Sequence, residues 1–172
     1  MVIVIMGVAG SGKTTIGQAL AAELRWPFRD ADEFHPPANI AKMAAGTPLN
    51  DSDRAPWLAA IRAYIDATLS EGKSAVVTCS ALKESYRETL SKDHADDSGN
   101  RTSPTSAVRW VYLKGDAALL AERLSHRRGH FMKPEMLQSQ LTTLEEPRDA
   151  VICDIAKTPA EIVAQVRREL GI

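Results

Sequence analysis

The segment from Val2 to Thr14 reads VIVIMGVAGSGKT, and it decides how the rest of the chain is arranged. Its first five residues are apolar and predict a buried strand, and the glycine-rich turn behind them fits the pattern G-x-x-x-x-G-K-[ST]. From Thr15 to Leu24, apolar residues recur every four positions, as they do on one face of a helix. A strand, such a turn and a helix in this order direct backbone N–H groups toward one point, where an anion can bind.

The side chains of this turn, called the phosphate loop below (Gly7 to Thr14), indicate which anion it binds. Lys13 can reach the β- and γ-phosphates of a nucleoside triphosphate, and the Thr14 hydroxyl can bind Mg²⁺. We therefore predict that ATP and Mg²⁺ are the cofactors, with Lys13 also catalytic. The predicted ATP-binding residues in this part of the chain are Gly7, Val8, Ala9, Gly10, Ser11, Gly12, Lys13, Thr14 and Thr15.

Length, composition and charge are those of a soluble enzyme with one domain. The chain has 172 residues, of which 44% are hydrophobic and 25% are charged. A net charge of −1 gives no general reason to expect nucleic acid or an anionic membrane as a partner. No apolar run is long enough to cross a bilayer, and the N-terminal run lacks the basic lead of a signal peptide. We expect a cytoplasmic protein in which Cys79 and Cys153 are buried thiols.

Five apolar, strand-like runs alternate with helical patterns along the chain. The runs span residues 2–6, 27–29, 74–79, 108–113 and 150–155. Such alternation predicts an α/β fold in which helices cover both faces of a parallel sheet. Ligands gather at the carboxyl ends of parallel strands, so the phosphate loop and the segments 30–35, 79–83 and 154–157 should share one edge. The pattern alone leaves the strand order open.

Two local predictions concern the polar segment that follows the second strand. The residues from Asn39 to Ala45 could form a short helix, with Ile40 and either Met43 or Ala44 facing the core. Asp53 is predicted to cap the next helix, whose first turn would contain Pro56.

Two carboxylates, Asp30 and Asp32, come at the end of the second strand. They point the same way if the strand continues through them. A kinase that acts on a hydroxyl needs one carboxylate to orient or deprotonate the nucleophile and often another near Mg²⁺. We predict that Asp32 is that catalytic group and binds substrate, and that Asp30 holds Mg²⁺ directly or through water. The alternative is a solvated turn.

The segment of about residues 33–57 is predicted to bind the acceptor substrate. His35 and Arg54 offer donors for hydroxyl and carboxylate groups, and an Arg suits a carboxylate best. Lys83 and Arg87, where the third strand meets a helix, are further candidates for substrate contact. For Lys83, a role at a capped helix start is the competing interpretation.

A basic segment of about residues 123–134 is predicted to be a small lid. Arg123 and Arg127 are four positions apart on a helix and can project to one side. A lid that closes over a triphosphate can stabilise the transferring charge. We predict that both arginines bind ATP, that Arg127 is also catalytic and that His130 binds substrate. A solvated charged face or a nucleic-acid patch are the alternatives. A second polar segment, about residues 93–107, is predicted to be a mobile loop.

Several segments together resemble the gluconokinase family, small kinases that make 6-phosphogluconate from D-gluconate and ATP. They are GVAGSGKT (7–14), DADEFHPPANIAKMAAGTPLNDSDRAPWL (30–58), CSALKESYRETL (79–90), VYLKGD (111–116), RRGHFM (127–132) and SQLTTLEEP (139–147). The most specific part is the pattern HPxxNIxKMxxGxPLxDxDRxPWL. The loop 93–107 departs from the family by its length and polarity.

The resemblance implies a P-loop NTPase fold of the nucleoside monophosphate kinase and shikimate kinase type, with a five-stranded parallel sheet of order 2-3-1-4-5 and a mobile lid. It also implies a homodimer and phosphorylation of gluconate at the C6 hydroxyl. Within enzymes, the rival prediction is a kinase for another small hydroxy acid such as shikimate, or for a nucleoside monophosphate. Outside enzymes, the rival is a regulatory module that binds nucleotide without catalysis.

Overall fold

The computed structural model describes residues 1–91, 107–126 and 134–172, and strands and helices alternate through these ranges. The strands are β1 (Val2–Met6), β2 (Phe28–Asp30), β3 (Ala75–Thr78), β4 (Val108–Lys114) and β5 (Ala150–Asp154). The helices are α1 (Lys13–Leu24), α2 (Pro37–Ala44), α3 (Asp51–Ser70), α4 (Glu84–Ser91), α5 (Ala117–Ser125), α6 (Pro134–Thr143) and α7 (Pro159–Leu170), and a 3-10 helix spans Ala31–Phe34.

The five strands form one parallel sheet in the order β2-β3-β1-β4-β5. This confirms the α/β class predicted from the alternation of strands and helices. It also confirms the strand order implied by the family resemblance. Because all strands run the same way, the loops that follow β1, β2 and β3 leave the sheet at one edge.

Side chains of the central strand alternate between two hydrophobic cores, one on each face of the sheet. Ile3 and Ile5 are fully buried in the core that α1 and α7 cover. Val2, Val4 and Met6 are fully buried in the core that α3 and α4 cover. Alternation with a period of two is the geometry of a strand, so an all-apolar β1 supplies both cores.

Helix α3 begins earlier than the sequence pattern predicted. Asn50 is its N-cap, with its side chain accepting a hydrogen bond from the Asp53 amide at 2.9 Å. The Asp53 carboxylate in turn accepts from the Asn50 amide at 2.9 Å, which completes a capping box. The prediction of Asp53 as the cap is therefore wrong by three positions, and Pro56 lies inside the helix.

Helix α2 faces the core differently from the prediction. Its buried side chain is Asn39, whereas Ile40 is 53% exposed and Met43 is 43% exposed. The Asn39 side chain is held by a polar contact, since its Nδ2 donates to the carbonyl of Asp53 at 2.8 Å. A satisfied amide can be buried without penalty, and here it turns the apolar side of α2 outward.

The predicted lid, about residues 123–134, and the predicted loop 93–107 are described only in part. Residues 127–133 and 92–106 lie outside the described residues. Among the helices of the described ranges, none is long and apolar enough to span a membrane.

Candidate active site

The phosphate loop adopts a backbone conformation that glycine permits at two key positions. Gly10 has φ +81°, and a Cβ placed there would lie 2.9 Å from the Cγ of Leu124 in α5. Gly12 has φ +92° and open space around it, so its requirement is conformational alone. Gly12 is also the residue from which α1 begins, and the positive end of that helix therefore faces the loop.

Lys13 folds back across the phosphate loop. Its Nζ donates hydrogen bonds to the carbonyls of Gly7 at 2.9 Å and Val8 at 3.0 Å. The ammonium group therefore lies over the concave side of the loop, beside the amides that bind an anion in loops of this type.

The two predicted Mg²⁺ ligands are in contact. The Thr14 hydroxyl donates to Asp30 Oδ2 at 3.1 Å. A hydroxyl and a carboxylate are hard oxygen donors of the kind that Mg²⁺ prefers. Among the described residues, no group of three or more His, Cys, Asp and Glu side chains could hold a metal. Mg²⁺ usually keeps several waters and takes further ligands from nucleotide phosphates, so it needs few ligands from the protein.

Asp32 lies in the 3-10 helix directly after β2. The Asp30 carboxylate caps this helix by accepting from the Asp32 amide at 3.2 Å. The side chain of Asp32 is exposed, at the same sheet edge as the phosphate loop. Asp30 thus contacts Thr14 with one oxygen and fixes the backbone of Asp32 with the other.

The thiol of Cys79 at the end of β3 is influenced by the charges of Lys13, Asp30 and Asp32. Burial raises its pKa to about 12, so the thiol stays protonated and is no nucleophile at neutral pH. The positive charge of Lys13 opposes this shift, and the carboxylates of Asp32 and Asp30 add to it. All three charges therefore act on the thiol at the end of β3.

Trp57 fixes the segment that carries Asp32 and His35. Its indole N–H donates to the carbonyl of Ala31 at 2.7 Å, and its ring stacks on the His35 imidazole with centroids 4.6 Å apart. Sequence reasoning placed Trp57 at the end of the acceptor segment without giving it this role. The only indication in the sequence was that Trp57 belongs to the pattern shared with the gluconokinase family.

His35 is held as a neutral ring. Burial lowers its pKa; the Asp32 carboxylate opposes this shift and Arg54 adds to it. Asn39 Nδ2 lies 3.4 Å from His35 Nδ1, and since that amide nitrogen only donates, Nδ1 accepts and the proton is on Nε2. The ring can therefore donate one hydrogen bond from Nε2 at neutral pH.

Lys83 and Arg54 lie around the carboxylate of Asp51, a polar residue of the predicted acceptor segment to which the sequence analysis gave no role of its own. Lys83 Nζ donates to both Asp51 oxygens, at 2.9 and 2.8 Å, and the Tyr86 hydroxyl donates to one of them. Arg54 Nη1 lies 3.8 Å from the same carboxylate. The hydrogen bonds from Lys83 and then Tyr86 hold the pKa of Asp51 below its usual value. This cluster joins the start of α3 to the segment that follows β3.

Arg87 lies in α4, after the turn that follows β3, and its side chain contacts that turn. Its side chain is buried, at 7% exposure, and Nη1 donates to the carbonyls of Ala81 at 3.0 Å and Leu82 at 3.1 Å. Ala81 has φ +42°, which is unusual for a residue other than glycine. Burial lowers the pKa of Arg87, which remains charged. Arg87 therefore supports the turn after β3, and its position does not favour substrate contact.

The predicted lid residues are described only in part. Arg123 Nη2 donates to the carbonyl of Ile155 at 2.7 Å, at the carboxyl end of β5. Arg123 belongs to α5, whose Leu120 and Leu124 pack against Gly10. Arg127 and His130 lie outside the described residues.

The chain is similar to known proteins over most of its length. Residues 9–170 match the family model described as shikimate kinase. The chain is 46% identical over 147 residues to a gluconokinase of Gluconobacter oxydans (strain 621H), which covers 86% of this chain and 76% of the relative. It is 42% identical over 177 residues to a probable gluconokinase of Xenopus tropicalis, with 99% and 93% covered. The crystal structure of a gluconokinase from Sinorhizobium meliloti 1021 matches with a TM-score of 0.81 and 45% identity, and covers 98% of this chain and 90% of that one.

Proposed function

The chain belongs to the gluconokinase family, and from that membership we propose that it transfers the γ-phosphoryl group of ATP to the C6 hydroxyl of D-gluconate. The products would be 6-phospho-D-gluconate and ADP. The single observation that carries this proposal is the hydrogen bond from Thr14 to Asp30 at 3.1 Å, because it joins the phosphate loop to the carboxylate pair that includes Asp32.

On the donor side, the phosphate loop is proposed to hold ATP. The amides of Gly10 to Thr14 and the ammonium of Lys13 would bind the phosphates, with Thr14 and Asp30 as protein-side ligands of Mg²⁺. Bound Mg²⁺ neutralises charge on the phosphate oxygens. Lys13 would move from the carbonyls of Gly7 and Val8 to the phosphates, a short displacement because those carbonyls belong to the same loop.

On the acceptor side, Asp32 is proposed to orient the hydroxyl for in-line attack and to accept its proton. Its backbone is fixed by Asp30 and, one residue earlier, by Trp57 at Ala31, so the carboxylate works from a supported position. In-line transfer depends on such positioning, since the transition state leaves little covalent chemistry to the protein.

The remainder of the acceptor is a chain of hydroxyls that ends in a carboxylate. His35 Nε2 would donate to a hydroxyl, and the cations Arg54 and Lys83 would attract the carboxylate. Both cations contact the carboxylate of Asp51, so their positions are compatible with a carboxylate partner.

Three parts of the proposal concern groups beyond this pocket. Arg123 and Arg127 would lie over ATP and offset charge on the transferring phosphoryl group, with Arg127 catalytic. His130 would contact substrate as the lid, about residues 123–134, closes. A homodimer in the cytoplasm, with neither nucleic acid nor membrane as partner, completes the proposal.

Release of ADP from the purified protein tests this function. We expect gluconate to raise the rate at least a hundredfold over the rate without acceptor, with shikimate and AMP giving no such increase.

Sorbitol, which has a hydroxymethyl group where gluconate has its carboxylate, should be a poor acceptor, because it cannot pair with Arg54 or Lys83. We expect its kcat/KM to be roughly a hundredfold lower, since each hydrogen bond between a substrate carboxylate and such a cation contributes about 1.5–3 kcal/mol.

Equal ADP release with and without gluconate would contradict the proposal. Equal use of sorbitol and gluconate would be compatible with kinase activity but would contradict recognition of the carboxylate by Arg54 and Lys83.

A further inference from the structure

We propose that Gln140 is a positioning residue that holds the phosphate loop in the shape needed to bind ATP. Its Oε1 accepts a hydrogen bond from the Ala9 amide at 2.7 Å, across 131 positions of sequence. Gln140 is half-buried in α6, within the segment SQLTTLEEP that the sequence analysis singled out without giving it a role. The inference rests on the proposed function in one respect, which is that the loop binds ATP.

Helix α6 is anchored beside the loop by its apolar side. Leu137 lies three positions before Gln140, on the same face of the helix, and is buried in the same core as Val8 of the loop. Burial of Leu137 and Val8 in one core therefore keeps the side-chain amide of Gln140 within reach of the next residue, Ala9. Gln140 Oε1 thus gives the Ala9 amide an acceptor, which this amide does not find in the backbone hydrogen bonds of the sheet or of α1.

A second helix holds the next residue of the loop. At Gly10, an added Cβ would lie 2.9 Å from Leu124 Cγ and 3.2 Å from the carbonyl of Leu120, so α5 packs directly on the loop backbone. The three residues Val8, Ala9 and Gly10 are thus fixed in turn by the core, by Gln140 and by α5.

This support matters for the donor side of the reaction. Lys13 contacts the carbonyls of Gly7 and Val8, which directly precede Ala9. A shift of the loop backbone at Ala9 would therefore move the carbonyls that position the ammonium group of Lys13. A loop that is already held in its binding shape loses less conformational freedom when a triphosphate binds. Asp32 and His35 belong to the segment after β2 and have no contact with Gln140 among the hydrogen bonds of the described residues. Loss of Gln140 should therefore weaken the binding of ATP and have little effect on the binding of gluconate.

The test compares Gln140→Met, which keeps the length of the side chain but removes the acceptor, with Gln138→Met, an exposed position on the same helix. Calorimetric titration with ATP and Mg²⁺, without any acceptor, should give about tenfold weaker binding for Gln140→Met and less than a twofold change for Gln138→Met. By NMR, hydrogen exchange of the Ala9 amide should become at least tenfold faster in Gln140→Met, while the Ile16 amide in α1 keeps its rate. The KM for gluconate should stay within about twofold of the parent value.

Gln140→Glu supplies the matching rescue, because its carboxylate keeps an acceptor at the same reach and should preserve slow exchange at Ala9. Unchanged ATP binding and unchanged Ala9 exchange in Gln140→Met would overturn the proposal. Equal effects in Gln138→Met, a parallel rise in the KM for gluconate, or loss of Ala9 protection in Gln140→Glu would also overturn it. Absence of gluconate turnover in the parent protein would contradict the proposed function instead, since ATP binding and amide exchange do not depend on it.

Discussion

Replacing Asp32 with asparagine is expected to lower kcat for gluconate by roughly a hundred- to a thousandfold, the range of general acid–base catalysis. Asparagine has the same shape but cannot accept the hydroxyl proton, and its amide orients the hydroxyl poorly. The KM for ATP should change by less than about twofold, because the phosphate loop and the Thr14–Asp30 contact remain. The fold should be retained, since the Asp32 side chain is exposed and its amide is still held by Asp30.

Glu33→Gln is the matched control, with the same acid-to-amide change one residue along the same 3-10 helix. Glu33 pairs with Arg29 at 3.0 Å on the surface, and such a pair contributes little to stability. We expect kcat of this variant to stay within about twofold of the parent. A near-normal kcat for Asp32→Asn would show that the catalytic carboxylate has been assigned to the wrong residue.

Replacing Lys13 with methionine should lower kcat/KM for ATP by about a thousandfold. Methionine keeps the length and the apolar stem, so the loss is that of one charge aimed at the β- and γ-phosphates, where charge develops during transfer. Stability should fall by about 1–3 kcal/mol, because the carbonyls of the buried residues Gly7 and Val8 each lose one donor. Steady-state kinetics and thermal denaturation measure the two effects separately.

Lys73→Met provides the control for charge removal. Lys73 precedes β3, at the opposite edge of the sheet from the phosphate loop, and pairs with Glu71 on the surface. Its loss should leave kcat/KM for ATP within about twofold of the parent. A loss of less than tenfold in Lys13→Met would contradict the role given to that ammonium group.

The phosphate loop and the sheet were predictable because their signals are local. An apolar β1, a turn with glycine at positions 10 and 12, and a periodic α1 each follow from a few neighbouring residues. The edge shared by Lys13, Asp30 and Asp32 then follows from the geometry of parallel strands. The strand order was not contained in such patterns and came from the resemblance to a family.

Two interpretations were limited by contacts that form only in the folded chain. Ile40 was expected in the core because apolar residues usually are, yet a bond between Asn39 and the Asp53 carbonyl turns that helix the other way. Arg87 was a candidate for substrate contact because it lies near the end of the third strand, at the edge where ligands gather. Its carbonyl partners at Ala81 and Leu82 become visible only once the turn after β3 is folded.

Two residues to which the sequence analysis gave no role gain their places from contacts with distant parts of the chain. Asp51 gains its place from Lys83 and Tyr86, which are more than thirty positions away, and Gln140 gains its place from Ala9. Neither has a spacing that predicts chemistry. Both lie inside segments that resemble the family, which marked the segment as important but gave the residue no role.

Transfer of phosphate to the C6 hydroxyl of gluconate is tested most directly by the proton-coupled ³¹P NMR spectrum of the product formed from gluconate, ATP and Mg²⁺. We expect a phosphomonoester signal that is split by the two protons of C6 and grows as ATP is converted to ADP. A signal split by a single proton, as for a phosphate on a secondary carbon, or inorganic phosphate as the sole product, would contradict it.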